Sequence, residues 1–259
     1  MSSGLNPREV IVVIPARGGS KGIPGKNLRQ VYHQPLIAWT IRWALHVGLV
    51  PLVSTDSPAI AAIAMELGAR VPFIRPSELA TDEIRSVDVM LHAITHEMQL
   101  GRIDAKYVLM LEPTSPIRRD TLLEEAFRPI LSGEATTCVS VLEPGNAHPN
   151  FAMYPTDSSR VGFYIDPKSD LQSRRQECPE VLFPDGTIYA STIQALNLRR
   201  SFYHDGTYLL ASSRLENLDV DTEADLYLVD LVLRDLSEDH AHRHFLEGDF
   251  SWLTNTAST

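Results

Sequence analysis

The stretch "IPARGGSKGIPGKN", residues 14–27, places four glycines, two prolines, one arginine and two lysines in one loop behind an apolar run. Pro15 and Pro24 exclude regular helix there, and the glycines admit backbone angles closed to other residues. Such a loop offers backbone N–H groups and fixed positive charge, which is what a polyphosphate requires. It is not a Walker motif, because the order is Ser20-Lys21-Gly22 and Pro24 follows. The dinucleotide fingerprint is absent too, since the glycines fall at 18, 19, 22 and 25. The competing reading is a glycine-rich surface turn with solvated lysines. A second stretch, "LDVDTEAD" at 218–225, carries Asp219 and Asp221 two residues apart. In an extended segment both project the same way, roughly 6.5 Å apart at their Cα atoms. Two adjacent carboxylates repel, and a divalent cation removes that penalty. Mg²⁺ suits such a site, since it takes one or two carboxylates plus phosphate oxygens and water. The alternative is that the two aspartates only cap the following helix and favour its positive end.

These groups need a scaffold. Apolar runs predict strands at 10–14, 50–54, 71–74, 107–111 and 136–142, and helical periodicity predicts helices at 35–47, 57–67, 85–99, 119–131 and 222–235. Ser57-Pro58 supplies an N-cap and a first-turn proline, Gly68 a stop, and Asp120 a cap for the fourth helix. Thr222 and Asp225 have capping-box spacing with aspartate in place of glutamate. Strand–helix alternation of this kind predicts an α/β fold with a mostly parallel sheet covered on both faces. Ligands bind such sheets beyond the carboxyl ends of the strands. Arg17 follows the first strand, Ser54-Thr55-Asp56 the second, Arg75-Pro76 the third and "EPTSPIRR" (112–119) the fourth. Four polar clusters handed to one edge predict a ligand site.

The chain of 259 residues is 44% apolar, enough for one large α/β domain or two small ones, and carries a net charge of −10. That charge argues against a nucleic-acid backbone as partner but allows a nucleotide bound by local cations and a metal. The first residues lack the order of a signal peptide, and no run of 18 apolar residues exists, so no membrane span is expected. Cys138 and Cys178 form no disulfide framework, and a reducing cytoplasm fits. Between Glu143 and Pro184 six prolines interrupt polar and aromatic residues. A structureless connection this long is unusual, so an excursion with short strands of its own is expected, either a flap over the site or an arm toward a second subunit. One main domain is thus expected over 1–236, with the arm at about 143–184, and 237–259 reads as a C-terminal extension docked through Phe245, Phe250 and Trp252. His92 and His96 lie one helical turn apart without an evident third zinc ligand, and His240, His242 and His244 read as a solvated tail. Met90 and Met98 read as core filling.

Seven stretches in order, "IPARGGSKGIPGKN", "STD", "RPSELATD", "EPTSPIRR", "RRQ", "PDGTIY" and "LDVDTEAD", resemble the motifs of acylneuraminate cytidylyltransferases, the enzymes that make CMP-sialic acid and related CMP-activated sugars. The similarity runs from about residue 9 to 235. The resemblance implies a three-layer, Rossmann-like nucleotide-diphospho-sugar transferase fold and a homodimer with a protruding dimerisation arm. It implies transfer of CMP from CTP to the anomeric hydroxyl of an acidic sugar, with pyrophosphate leaving and Mg²⁺ as cofactor. Arg17 and Lys26 match residues that hold the triphosphate, with Ala16, Gly18, Ser20 and Lys21 completing the loop's cradle. Asn27, Arg75 and Ser86 match positions around the nucleoside, and Asp219 and Asp221 match the metal ligands. Arg175, Tyr189, Phe202 and Tyr203 match positions facing the sugar. Arg17, Lys26, Asp219 and Asp221 are therefore the expected catalytic set. Phosphoryl transfer rests on in-line positioning and neutralised charge, which a guanidinium fork, two ammonium groups and a metal supply.

The departures concern the sugar half. Glu112 stands where bacterial sialic acid enzymes have glutamine, Phe151 where they carry a lysine, and Asp185-Gly186 where they have Asn-Gly. One cation fewer and two added anions leave the acceptor open: N-acetylneuraminate, another nonulosonic acid, or another small acid or phosphonate. Arg175 is the remaining cation expected for the acceptor's acidic group, and GTP remains an alternative nucleotide. A catalytically silent nucleotide-binding subunit is the non-enzyme alternative, opposed by the retained phosphate cations and metal carboxylates.

Overall fold

A computed structural model of the chain describes residues 4–101, 104–144, 147–155, 161–163, 178–237, 249–250 and 252–253. Six strands form the central sheet in the order β10-β6-β9-β5-β1-β4. They are β1 (Val10–Pro15), β4 (Leu52–Ser54), β5 (Tyr107–Met110), β6 (Thr137–Leu142), β9 (Phe183–Thr192) and β10 (Thr207–Ala211). β1 pairs in parallel with both β4 and β5, setting Val13 beside Leu52 and Val12 beside Leu109. β10 is parallel to β6, whereas β9 runs antiparallel between β5 and β6. The sheet is therefore mostly parallel, and β1, β4 and β5 end at one edge.

Period-two alternation divides the strand residues between two cores. Val10, Val12 and Ile14 face one, with Trp39 and Ile41 of α1 (Leu36–His46), Ile60 of α2 (Pro58–Glu66), Phe127 of α4 (Leu122–Leu131) and Val229 of α6 (Glu223–Ser237). Ile11 and Val13 face the other, with Met90 and Ile94 of α3 (Ser86–Gln99) and Leu196 of α5 (Ile193–Arg199). Helices thus cover both faces, as the alternation predicted. All three tryptophans are buried, and each indole N–H reaches a backbone carbonyl: Trp39 to Val31, Trp43 to Arg119 and Trp252 to Arg118. Trp252, Phe250 and Leu253 lie in the first core, so the C-terminal stretch docks through Phe250 and Trp252 as expected, while Phe245 lies outside the described residues. Among the described residues no helix is long and apolar enough to cross a membrane.

Several element boundaries differ from expectation. Residues 71–74 form no strand, because Pro72 lacks an N–H and Ile74 turns to solvent; the bridge to Leu52 is made by Arg70, just before them. The strand β9, the helix α5 and the strand β10 were not predicted. Ser57 caps α2 through the Ile60 amide, and Gly68 takes its left-handed stop. Asp120 does not cap α4: the residue before that helix is Thr121, and no side chain bonds its first-turn amides. In the 143–184 segment, β7 (Met153–Pro155) and β8 (Val161–Phe163) pair with each other, antiparallel, and with no other strand among the described residues, after a 3₁₀ turn at Pro149–Phe151. A small ribbon of β2 (Gln30–Val31) and β3 (Gln34–Pro35) leads from the glycine-rich loop into α1.

Candidate active site

The loop after β1 is fastened along its length. The Ala16 amide donates to the Ser54 carbonyl at 2.9 Å and the Gly18 amide to the Asp56 carboxylate at 2.7 Å. Asn27 Nδ2 donates to the Arg17 carbonyl at 3.0 Å. Protein groups thus hold the Ala16 and Gly18 amides. The amides of Gly19 and Ser20, which border the cleft, donate to no protein group among the described residues. Gly22 rests on the acidic segment, where a Cβ would fall 2.5 Å from the Asp221 carbonyl oxygen. Any larger residue would push the loop off that segment.

Two ion-pair clusters set the charge. Lys26, largely buried, donates from Nζ to the Val220 carbonyl at 2.7 Å and to Asp221 Oδ1 at 2.9 Å. Arg17 and Lys21 both reach Asp82, at 2.5 and 2.7 Å. These cations, Lys21 foremost, hold the Asp82 carboxyl below the usual carboxylate range. Asp82 was not singled out in the sequence; it closes the "RPSELATD" stretch, and only the fold brings it opposite the loop.

Beyond the ends of β1 and β5 lies a cleft of about 300 Å³, walled by Arg17, Ser20, Lys26 and Asn27 and, opposite, by Arg75 and Ser86. The Asn27 side chain leaves Oδ1 buried in this wall with no hydrogen-bond partner. Arg75 is buried and braced, Nε donating to Ser54 Oγ at 3.1 Å and a terminal nitrogen to the Ser54 carbonyl. Burial pushes its guanidinium down to about 10, which leaves it charged at neutral pH.

The acidic segment reaches the same cleft. The Val220 amide donates to the Thr114 carbonyl at 2.9 Å, pinning the segment beside the end of β5. Thr222 and Asp225 form the reciprocal capping box, the Thr222 amide donating to Asp225 at 2.7 Å and the Asp225 amide to Thr222 Oγ1 at 3.3 Å. The helix start is thus capped by Thr222 and Asp225, so the reading of Asp219 and Asp221 as caps loses its basis. Burial, with the Asp221 charge adding to it, raises the Asp219 carboxyl above its ordinary range, partly opposed by a hydrogen bond from Thr114. No group of three or more acidic, histidine or cysteine side chains placed to hold a metal ion occurs among the described residues. A hard ion completed by phosphate oxygens and water needs no third carboxylate, so the pair fits Mg²⁺.

A second chamber, about 280 Å³, opens beside the first and shares Ser86 and Glu112 with it. Met110, Tyr189, Phe202 and Tyr203 form its walls. Tyr189 and Phe202 have ring centroids 5.3 Å apart, and the Tyr203 and Tyr189 hydroxyls are 3.5 Å apart. Burial, reinforced by the Asp219 charge, pushes the Glu112 carboxyl up to about 7. Gly186 (φ +80°) makes room for that carboxyl, since a Cβ there would lie 2.8 Å from Glu112 Oε2 and 2.7 Å from Ser115 Oγ.

The structure therefore gathers Arg17, Lys26, Asn27, Arg75 and Ser86 around one cleft, with Lys21 joined to it through Asp82 and Asp221 through Lys26. Glu112, Tyr189, Phe202 and Tyr203 stand around its neighbour, where the Asp219 charge acts on Glu112. Arg175 lies outside the described residues, as do His240, His242 and His244. Two arginines of "EPTSPIRR" turn away from the ligand edge. Arg118 is wholly buried and bonds the carbonyls of Thr187 and Glu112 and the Thr40 hydroxyl. Arg119 pairs with Glu125 and with the fully buried Glu216. Asp185 does not itself line the second chamber: one carboxylate oxygen accepts from the Ser140 hydroxyl and the Thr187 amide, and its charge still helps raise the Glu112 carboxyl. Phe151 packs on His148, and His92 and His96 pack on Phe73, each away from both chambers. Arg85 and Arg200, which border the second chamber, were also missed.

Residues 11–153 match the family described as cytidylyltransferase. The chain is 35% identical over 232 residues to CMP-N,N'-diacetyllegionaminic acid synthase of Legionella pneumophila, covering 86% of this chain and 96% of that protein. It is 33% identical over 220 residues to N-acylneuraminate cytidylyltransferase of Streptococcus agalactiae, covering 83% of this chain but only 51% of that longer protein. Among solved structures, CMP:2-keto-3-deoxy-manno-octonic acid synthetase complexed with CTP superposes with a TM-score of 0.63 at 19% identity, over 88% of this chain and 99% of that one. That likeness carries the fold: a three-layer nucleotidyltransferase.

Proposed function

Because the chain belongs to the cytidylyltransferase family, we propose that it transfers CMP from CTP to the anomeric hydroxyl of an acidic, nonulosonic-type sugar. One observation carries this reading: a cation-lined cleft and an aromatic chamber meet at Glu112 and Ser86. A nucleotide in the first and a sugar in the second would react at that junction. The relatives named for CMP-sugar synthesis support the same assignment.

In the reaction the sugar's anomeric oxygen forms a bond to the α-phosphorus of CTP. The bond from that phosphorus to the oxygen bridging the β-phosphate breaks, and its electrons leave with pyrophosphate. Arg17, Lys21 and the Gly19 and Ser20 amides bind the triphosphate, while Lys26 holds the loop against the acidic segment and offsets charge. Asn27 Oδ1, an acceptor without a partner, receives a hydrogen bond from the nucleoside. Glu112, with its carboxyl near 7, takes the proton of the attacking hydroxyl. Tyr189, Phe202 and Tyr203 orient the sugar and exclude water from it. Mg²⁺, held by Asp219 and Asp221, would neutralise developing negative charge on the phosphates when bound.

The working assembly in this reading is a homodimer located in the cytoplasm. The hairpin of β7 and β8, which pairs with no other strand among the described residues, is the element that would reach the partner. Sedimentation should give twice the chain mass, and removal of the hairpin should give weakly active monomers. Activity itself is tested by pyrophosphate release with Mg²⁺, CTP or GTP, and a panel holding N,N'-diacetyllegionaminic acid, N-acetylneuraminic acid and small phosphonates. Release should require CTP and an acidic sugar. No release with any acidic sugar would leave the silent nucleotide-binding subunit.

A further inference from the structure

The second chamber carries two arginines that the proposed reaction does not yet use. Arg200 ends α5 with φ +48° and ψ +37°, donating its amide to the Leu196 carbonyl. That left-handed geometry crowds the Cβ of any residue but glycine and is ordinarily filled by Gly or Asn. A long charged side chain held in such a conformation invites a functional explanation. The Arg200 guanidinium donates to Asp88 Oδ1 at 2.7 Å. Arg85, three residues before Asp88, donates to the same carboxylate at 3.2 and 3.4 Å. Each guanidinium has five N–H donors, so one shared aspartate engages only a minority of them. Two positive charges face one negative charge at the rim of the chamber, on a chain whose net charge is −10.

The opposite charge sits deeper. Glu112 lies at the junction with the first cleft, with Asp219 close enough to raise its carboxyl. An anionic molecule entering this chamber meets repulsion from that end and attraction from the arginine rim. Val87, Met110, Tyr189, Phe202 and Tyr203 give the wall an aromatic and apolar surface, suited to the carbon face of a sugar. We infer that Arg200, seconded by Arg85, is a specificity-determining cation of the acceptor chamber and selects a carboxylate-bearing acceptor. Asp88 is the positioning residue that holds both guanidiniums at the rim. A planar guanidinium can meet a carboxylate with two parallel N–H donors, a geometry that neither an ester nor an amide matches with equal strength.

This inference rests on the proposed reading of the second chamber as the acceptor site, and its test must fail separately from that reading. Arg200→Asn keeps a residue at home in the left-handed region while removing the charge. With N-acetylneuraminic acid and its methyl ester as probes, saturation-transfer NMR without CTP should show the wild type favouring the acid at least tenfold and Arg200→Asn showing little preference. In pyrophosphate-release assays with whichever acidic sugar the wild type uses, Arg200→Asn should raise acceptor KM about tenfold to a hundredfold. The CTP KM should stay within about twofold, and Arg200→Lys should recover part of the loss. Absence of turnover in the wild type counts against the proposed reaction. Loss of nothing in the acid-over-ester preference on going to Arg200→Asn, or equal losses for CTP and acceptor, overturns the role of Arg200 and leaves it a staple between α5 and α3.

Discussion

Lys26 and Asp221 are 195 residues apart in sequence and 2.9 Å apart across the cleft, joining the glycine-rich loop to the acidic segment. A second bond from Lys26 Nζ to the Val220 carbonyl fixes the ammonium group, so the cation is positioned before any phosphate arrives. The Asp221 side chain is 74% exposed, which leaves it open to solvent beside Lys26.

Asp221→Asn should reduce turnover by 10²-fold or more, a loss typical of a removed charge-stabilising group. Stability should change by less than about 1 kcal/mol, because an exposed ion pair contributes little and the helix cap belongs to Thr222 and Asp225. Turnover measured across a Mg²⁺ titration, beside a thermal melt, checks both. A Mg²⁺ dependence identical to the wild type's would remove Asp221 from the metal site.

Asp82 competes with the triphosphate for the two loop cations it holds. Asp82→Ala should therefore lower the CTP KM several-fold at low ionic strength, and added salt should close the gap. Arg17→Ala should act in the opposite direction and cost on the order of 10²-fold in turnover. A CTP KM that rises in Asp82→Ala would show instead that the carboxylate orders the loop for binding.

Glu112 supplies the pH dependence. Its carboxyl is pushed up to about 7, so the proton-accepting carboxylate predominates above that pH and is lost below it. Activity should climb with pH along an acid limb ending near 7, and metal bound beside Asp219 should draw that limb lower. Glu112→Gln should lose about 10²-fold or more in kcat and flatten the limb. An unchanged limb in the glutamine variant would assign the proton to another acceptor.

Gly186→Ala puts a methyl group within 2.8 Å of both Ser115 Oγ and Glu112 Oε2 at a φ of +80°. The strained backbone alone should cost on the order of 1–3 kcal/mol, and the displaced carboxyl should reduce turnover as well. Denaturant melts and steady-state assays on one preparation read both effects. Unaltered stability would mean that the β9 turn relaxes freely.

Glu216→Ala tests a residue that no sequence pattern marked. Its carboxylate is fully buried, pairs with Arg119 and accepts the Arg119 and Ser213 amides. Removing one partner of a buried pair leaves the other charge uncompensated, with an expected loss of about 3–5 kcal/mol. A loss under about 1 kcal/mol by urea denaturation would show that water replaces the carboxylate.

The sequence by itself determined whatever depends on near neighbours. The apolar runs of β1 and β5, the Ser57 cap and the Thr222–Asp225 box are local patterns, and each took the form its spacing required. The loop cations and the aspartate pair were legible for the same reason, since residue types clustered within fourteen or eight positions declare their chemistry without a fold. Tertiary structure decided which way otherwise equivalent side chains turn. Arg17 faces the cleft while Arg118 and Arg119, in a loop read as equally polar, turn inward to Thr187, Glu112 and Glu216. Asp185 bonds within the sheet although its neighbour Gly186 touches Glu112. Ladder partners are chosen at long range, so β9 entering antiparallel between β5 and β6 was invisible in its own residues. Asp82 opposite Arg17, and Arg85, Asp88 and Arg200 at one rim, meet only because the sheet brings separate loops to a common edge. Side-chain direction and long-range pairing follow from packing of the whole chain, a property that no short window of residues contains.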